Sequence, residues 1–370
     1  MVLIRLVFIH IFFFFFLNSS LFALNNKKIK VVFISVAAKE EVFWNGIHEL
    51  AKKAAKDLGV ELKILYSNRD HLLAVRMAKN IAKSKNKPDY VIVVAEKLIA
   101  SLSIPILSKS NIKVLVLGNI NKKKKEEIGN PKEKYKNYIG KISIDDYSAG
   151  YLTMEVIIKE AIKKKLYDKN GYINFLSLEG VRETSFNYER VRGMKDVLKK
   201  YPKVRILQSV STKWRYMDAV RILPAFLKRY SQYRIAGVWC ANSELARGAS
   251  DVLKLNTRTH DANFLTVGTD WDINSIENVN KGDILAIAGG HVAILAWLIV
   301  LIYDYHNGVE LGPNIFLNKI TIINRNTSSK YLEIFNKNNW DFIDFKRFSR
   351  FKNKKLKKYD FKFENFLHDL

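Results

Sequence analysis

Short apolar runs alternate with amphipathic stretches along most of this chain, and this alternation constrains the fold more than any other feature. The apolar runs read as strands that are buried on both faces. They occupy residues 31–36, 60–65, 90–95, 114–117, 172–178, 204–209, 235–240, 264–268 and 284–288. The helical patterns between them cover 43–58, 72–83, 149–164, 185–199, 217–229 and 245–253. Such alternation predicts an α/β fold in which helices cover both faces of a parallel sheet.

So many strands exceed what one small doubly wound sheet holds, and 370 residues suffice for about two domains. We therefore predict two doubly wound parallel-sheet lobes that are joined by a multi-strand hinge. The first lobe is expected to comprise residues 27–160 plus 290–312, and the second 161–289 plus 313–327. Residues 328–370 are expected to form a C-terminal helix and a basic tail. An apolar run at 292–303 is too short to span a membrane comfortably and predicts a buried helix.

The first 23 residues are typical of an export signal. Arg5 precedes an apolar core at 6–17, and Ala23 is a suitable last residue before cleavage. Leu21 fits the cleavage pattern imperfectly, so an uncleaved anchor stays open as an alternative. Either form places the protein outside the cytoplasmic membrane, and we expect it in a periplasm.

The chain carries a net charge of +26, which raises the question of a nucleic-acid partner. Of its 62 basic residues, 46 are lysines scattered along the chain, as on an exposed surface, and we predict no nucleic-acid partner. The clusters at 122–125 and 346–362 are expected to be solvated surface or a frayed end. Contact with anionic lipid headgroups or with a phosphorylated surface polymer is the alternative. The single Cys240 excludes an internal disulfide and a cysteine-based zinc cluster, and no cofactor or metal is expected.

Polar and aromatic side chains follow the predicted strands at their carboxyl ends, where ligands bind in open α/β sheets. Aromatic rings offer flat apolar faces, while carboxylates, amides and guanidinium groups accept or donate hydrogen bonds. Together these groups suit a compact molecule with C–H faces and many hydroxyls, such as a sugar. The residues that we predict as ligand contacts are Phe43, Trp44, Asn119, Asp145, Arg190, Trp214, Asn242 and Asp270.

Each of these residues also has a purely structural interpretation. Phe43 and Trp44 could staple a helix start onto the core, and Asp145 could serve only as a helix N-cap. Trp214 could pack on the surface of its lobe, and Arg192 could replace Arg190 as the ligand arginine. His291 is expected to be a packing residue.

Five local signatures in their order along the chain resemble the type I periplasmic solute-binding proteins, of the ribose- and galactose-receptor kind. They are V-F-W-N-G at 42–46, D-D-Y-S-A-G at 145–150, an arginine three residues before Gly193, A-N-S-E-L-A-R-G-A at 241–249, and V-G-T-D at 267–270. Within this family, L-G-N-I at 117–120 is similar to the receptor for a furanose-derived quorum-sensing autoinducer.

The resemblance implies a non-enzymatic, monomeric receptor whose two lobes close around a small sugar-like ligand. It implies an inner-membrane ABC permease as partner, or alternatively the periplasmic domain of a sensor kinase. The rival class is a glycosidase that uses paired carboxylates such as Asp145 and Asp270. The sequence has no G-x-S-x-G elbow, no phosphate-binding loop and no H-E-x-x-H helix.

Overall fold

The structure is a computed structural model and describes residues 28–120, 122–255, 264–312, 314–317, 320–336 and 340–369. The predicted export signal at 1–23 lies outside the described residues. In the described part of the chain, every helix is too short or too polar to cross a bilayer.

The strands and helices alternate as the sequence predicts. The strands are β1 (Lys30–Ser35), β2 (Glu61–Tyr66), β3 (Tyr90–Val94), β4 (Lys113–Leu117), β5 (Tyr138–Ile144), β6 (Ile173–Glu179), β7 (Val204–Ser211), β8 (Ile235–Cys240), β9 (Leu265–Thr269), β10 (Ala286–Gly289), β11 (Asn314–Leu317) and β12 (Thr321–Asn324). The helices are α1 (Val42–Leu58), α2 (His71–Lys83), α3 (Ile99–Lys109), α4 (Lys122–Ile128), α5 (Asp146–Lys163), α6 (Ser185–Leu198), α7 (Tyr216–Arg229), α8 (Ser243–Leu255), α9 (Ile273–Lys281), α10 (Ile294–His306) and α11 (Arg325–Asn336).

These strands form two six-stranded sheets, one in each lobe. The first sheet has the order β11-β5-β4-β3-β1-β2, and its neighbouring strands are parallel. The second has the order β12-β10-β9-β8-β6-β7 and is parallel except for the antiparallel edge strand β12. The chain passes between the lobes after β5, after β10 and after β11. The predicted class of two doubly wound lobes with a multi-strand hinge is therefore confirmed.

The predicted lobe boundaries need two corrections. Helix α5 packs on α6 and on strands β8 to β10, so the first crossing lies at Asp145 rather than near residue 160. Strand β11 pairs with β5 in the first sheet, whereas residues 313–327 were all expected in the second lobe. The second edge strand, β12, does lie in the second lobe. Both errors concern which sheet an element packs against, which the periodicity of a single element does not encode.

Helix α10 is the buried helix that the apolar run at 292–303 predicts. Its residues from Ile294 to Asp304 are buried, and it packs along α1 of the first lobe. The single acidic residue of this buried stretch, Asp304, is fully buried and hydrogen-bonded to the C-terminal tail.

The C-terminal tail, residues 340–369, is part of the hydrophobic core and not a frayed end, although the lysines of its basic cluster do lie on the solvated surface, as the sequence predicts. Its phenylalanines point inward while its lysines lie at the surface, and Phe345 and Phe366 are fully buried. Phe366 packs 5.0 Å from Trp297 of α10, and Phe363 packs 5.4 Å from Trp271 of the second lobe. Since Phe363 and Phe366 are themselves 5.2 Å apart, the tail joins the two lobes through one continuous set of rings.

Candidate functional site

A cavity of about 620 Å³ lies between the two lobes at the carboxyl ends of the strands. This is the edge at which open α/β sheets bind ligands. Six of the eight predicted contacts line it: Phe43, Trp44, Arg190, Trp214, Asn242 and Asp270.

The first lobe contributes two aromatic rings from the opening turn of α1. The Trp44 ring is stacked on the buried Phe33 at 6.3 Å and lies 6.1 Å from the ring of His48. Phe43 meets Trp44 edge-on and lies 5.6 Å from His291. Because both rings rest on buried partners and also line the cavity, they are held in place as an aromatic wall.

His48 supports this wall from below. Its side chain is 1% exposed, and its Nε2 lies 3.1 Å from the hydroxyl of Ser35. Burial, together with the charge of Lys52, lowers the pKa of His48 from 6.5 to about 4. The imidazole is therefore neutral at physiological pH.

Arg190 forms the buried polar floor of the cavity. Its Nε donates to Asp146 at 2.8 Å, one terminal nitrogen donates to the carbonyl of Ala241 at 2.7 Å, and the other donates to Asp270 at 2.9 Å. Burial alone would lower the pKa of Arg190, but the two carboxylates raise it instead. This arginine is thus a permanent cation that bonds to two buried acids, and burial raises the pKa of Asp146 despite the charge of Arg190.

Two glycines of the sequence motifs make this arrangement possible. A Cβ on Gly150 of α5 would lie 1.9 Å from the carbonyl oxygen of Arg190, and a Cβ on Gly193 of α6 would lie 2.0 Å from that of Tyr147. Any larger residue would therefore force the two helices apart. Their close approach places Arg190 beside Asp146.

Asp270 sits at the centre of the network. Its Oδ1 accepts from Arg190 and also lies 2.7 Å from Nε2 of His291. Burial would raise the pKa of Asp270, but the charge of Arg190 and the bond to His291 outweigh it and hold the pKa below its usual value. Its backbone has φ of +82°, a left-handed conformation that aspartate adopts at a cost. His291, expected as a packing residue, is therefore part of the polar floor.

The second lobe contributes Trp214, whose indole lies over Gly180. A Cβ on Gly180 would come within 2.0 Å of this ring, so only glycine leaves room for it. The carbonyl of Trp214 accepts from Asn242 at 2.9 Å, and the same Asn242 caps α8 by accepting from the amide of Leu245 at 3.0 Å. Asn242 therefore lines the cavity while it fixes the loop that carries Trp214.

Asn119 and Asp145 are not among the residues that line the cavity, and their ligand contacts stay predictions. Asn119 accepts from Nζ of Lys141 at 2.9 Å. Asp145 caps α5 by accepting from the amide of Ser148 at 2.9 Å, which is the structural interpretation left open for it. Its neighbour Asp146 faces inward and binds Arg190, because successive residues at a helix start point in different directions.

Of the two candidate arginines, Arg190 lines the cavity and Arg192 does not. Arg192 is exposed, pairs with Glu189 and lies 4.5 Å over the ring of Tyr147. Arg190 is 4% exposed and lines the cavity.

The first lobe contributes a cluster of three charged side chains that the sequence does not predict as a cluster. Glu41 accepts from Nε of Arg69 at 3.1 Å, and the same guanidinium lies 3.7 Å from Glu96. Burial raises the pKa of Glu96 despite the opposing charge of Arg69. These side chains come from the ends of three different strands, so only the folded sheet brings them together.

Comparison with known proteins agrees with this architecture. The family described as periplasmic binding protein domain matches residues 31–308. The chain therefore belongs to this family, and its predicted resemblance to the type I periplasmic binding proteins is confirmed.

Individual relatives are more distant. A xylitol-binding protein of Mycolicibacterium smegmatis is 26% identical over 44% of this chain and 43% of its own length. A D-apiose import binding protein of Paraburkholderia graminis is 27% identical over 34% of this chain and 38% of its own length. The chain thus matches less than half the length of these curated relatives. A periplasmic sugar-binding protein from Pseudomonas fluorescens has a TM-score of 0.80 and 25% identity, with 92% of this chain and 99% of that chain covered.

Proposed function

We propose that this chain is an exported receptor that binds one small polyhydroxylated molecule, a sugar or a polyol, and passes it unchanged to an ABC importer in the membrane. The observation that carries the proposal is a cavity with an aromatic ring from each lobe, Trp44 and Trp214, above a buried polar floor. Family membership and the xylitol-binding and D-apiose-import relatives support the same conclusion. The segment 1–23 would direct export, and the receptor would act as a monomer.

The polar floor has unused hydrogen-bonding capacity for hydroxyl groups. A guanidinium has five N–H donors, and three of those on Arg190 donate to protein acceptors, which leaves two. Among the described residues, Oδ2 of Asp270 and Nδ1 of His291 have no hydrogen-bond partner. A ring hydroxyl could donate to Oδ2 of Asp270 and accept from Arg190, while the C–H face of the sugar stacks on an aromatic ring.

Binding would act by closing the two lobes. The ligand touches both walls only when the lobes are together, so it shifts the population toward the closed form by its differential affinity for that form. Phe186 of the second lobe already reaches Gly118 of the first, since its ring would lie 2.7 Å from a Cβ at that glycine. The closed surface would then be what the membrane partner recognises.

A panel of pentoses, hexoses and pentitols, screened by thermal shift and followed by calorimetric titration, tests this function. We expect at least one compound to bind with one site per chain and to be recovered chemically unchanged by NMR. Hydrolysis or another conversion of the compound would show an enzyme instead. Failure of every compound to bind, together with failure of the corresponding acidic and phosphorylated sugars, would overturn the proposal.

A further inference from the structure

The cavity continues into a second space between the lobes, which we call the side chamber. The side chamber has a volume of about 700 Å³. It shares with the cavity the ring of Trp214 and four cationic side chains, which are Arg69, Lys213, Arg215 and Arg221. A ligand that stacks on Trp214 therefore has these cations at its edge.

The second-lobe wall of the side chamber is rich in cations. Four of them line the side chamber: Arg182, Lys213, Arg215 and Arg221. None of the four forms an ion pair with another described residue.

Most of the acids on the same walls are already engaged. Asp70 caps α2 through the amides of Leu72 and Leu73, and Glu96 faces Arg69. Asp218 accepts from the backbone amides of Lys213 at 2.8 Å and Arg215 at 3.3 Å. These bonds to amides leave the carboxylates charged, but six cationic residues line the side chamber against four acidic ones, so its wall carries an excess of positive charge.

The backbone of the turn that carries Lys213 and Arg215 is fixed by hydrogen bonds. Residue Trp214 has φ of +69°, its amide donates to the hydroxyl of Thr212 at 3.1 Å, and its carbonyl accepts from Asn242. Asp218 holds the amides on either side. Basic residues are common on this chain, but here a fixed backbone gathers exposed ones around a space that is open to solvent and adjoins the ligand cavity.

We propose that the ligand carries a negatively charged substituent, a carboxylate or a phosphate, which binds in the side chamber against Lys213, Arg215 and Arg221. This inference rests on the proposed function and specifies its ligand as an acidic or phosphorylated sugar. Arginine binds both anions through paired N–H donors, and lysine adds a point charge. The sugar part of the same molecule lies between Trp44 and Trp214.

Matched pairs of probes test the inference by calorimetric titration of the full-length mature chain. The pairs are D-galactose with D-galacturonate, D-xylose with D-xylonate, and D-ribose with D-ribose 5-phosphate. Inorganic phosphate and acetate are the probes for the anion alone. We expect a charged probe to bind about tenfold or more tightly than its neutral partner, with an advantage that shrinks as salt is added. The uronate, aldonate and phosphate arms distinguish a carboxylate ligand from a phosphate ligand.

The double variant Arg215→Gln/Arg221→Gln should bring the ratio of charged to neutral affinity to about one, because it removes two of the unpaired cations. The control Lys195→Gln/Lys228→Gln removes the same charge from exposed sites of the second lobe outside both cavities and should keep the ratio. Arg215 and Arg221 are both exposed, so the thermal unfolding midpoint of the double variant should match that of the control variant.

Three results would overturn the inference alone: a neutral sugar that binds as tightly as its acid, an unchanged ratio in the double variant, or phosphate or acetate that binds as tightly as the charged sugar. Failure of every probe, neutral and charged, would overturn the proposed function and this inference with it.

Discussion

The ligand cavity and the C-terminal tail both contain clusters of aromatic rings, but the rings have different roles in the two regions. In the cavity, Trp44 rests on Phe33 and also faces open space. In the tail, Trp297 is fully buried with Phe361 stacked on it at 4.8 Å and Phe348 at 4.9 Å. The comparison teaches that a ring held on one side is available to a ligand, while a ring surrounded by others holds the lobes together. The predictions below separate these two roles.

Removal of residues 352–370 should have the largest effect. It deletes the buried side chains of Phe363 and Phe366. It also removes Tyr359, whose hydroxyl donates to Asp304 at 2.8 Å. Two buried phenylalanines alone stabilise by about 5 kcal/mol, so we expect the truncated chain to unfold at much lower denaturant or not to fold at all. Denaturant unfolding followed by circular dichroism measures this change in stability. Unchanged stability of the truncated chain would show that the tail is not part of the core.

Trp297→Ala should destabilise the protein by about 3–5 kcal/mol, as truncation of a buried tryptophan does. The side chain is fully buried among the tail rings, so the change leaves a cavity there. Its effect on ligand affinity should be small, since Trp297 does not line the ligand cavity. A variant with normal stability but weakened binding would reverse the roles assigned to the two sets of rings.

Acidification should weaken the support of the cavity wall through His48. The folded pKa of about 4 lies below the unfolded value of 6.5, so the unfolded state binds more protons between these two values. The stability contribution is therefore fully present above pH 6.5 and is lost as the pH falls towards 4, by about 3 kcal/mol in total. His48→Gln should flatten this part of the stability profile, measured by denaturant unfolding at several pH values. An equally steep profile in the variant would assign the acid sensitivity to other groups.

Trp44→Ala should weaken ligand binding by about 1–3 kcal/mol, the range expected when a stacking ring is lost from a partly exposed site. Stability should fall less than in Trp297→Ala, because Trp44 is only half-buried. Titration with a sugar from the panel that binds the wild type measures the change. Unchanged affinity would contradict the stacking role of Trp44.

Asp145→Ala should have the smallest effect, a loss of about 1 kcal/mol of stability from the missing N-cap of α5. Ligand affinity should not change, because Asp145 lies outside the cavity lining. A clear loss of ligand affinity in this variant would show that Asp145 contacts the ligand.

The sequence predicts the cavity far better than the tail. Buried strands such as residues 31–36 are continuous apolar runs in the sequence. The polar and aromatic residues that line the cavity directly follow such runs, at the carboxyl ends of the strands. Their place along the chain therefore indicates that they lie at the same edge of the sheets. In the tail, Phe345, Phe348 and Phe351 recur every three residues, the period of a 3₁₀-helix, but this run is short and Phe361 and Phe366 do not continue it. They are scattered among lysines, so the sequence suggests a solvated end and hides the buried rings.

Two finer features that the sequence does not determine have a common cause. Asp145 and Asp146 are adjacent and chemically identical, and the direction of a helix start decides which of them faces Arg190. The lobe crossing near Asp145 rather than residue 160 likewise depends on which sheet α5 packs against. Both are tertiary choices that the local pattern leaves open. Glu41, Arg69 and Glu96 were not grouped for the same reason, since they meet only across the first sheet.

Native mass spectrometry of the protein isolated from its own periplasm tests the central claim most directly, because a closed receptor retains its ligand through purification. The claim is that one molecule is held between the rings and the polar floor. We predict one small polyhydroxylated ligand per wild-type chain, and its absence from the variant Trp44→Ala/Asp270→Asn. A variant that retains the same ligand at the same occupancy would place binding elsewhere and contradict the claim.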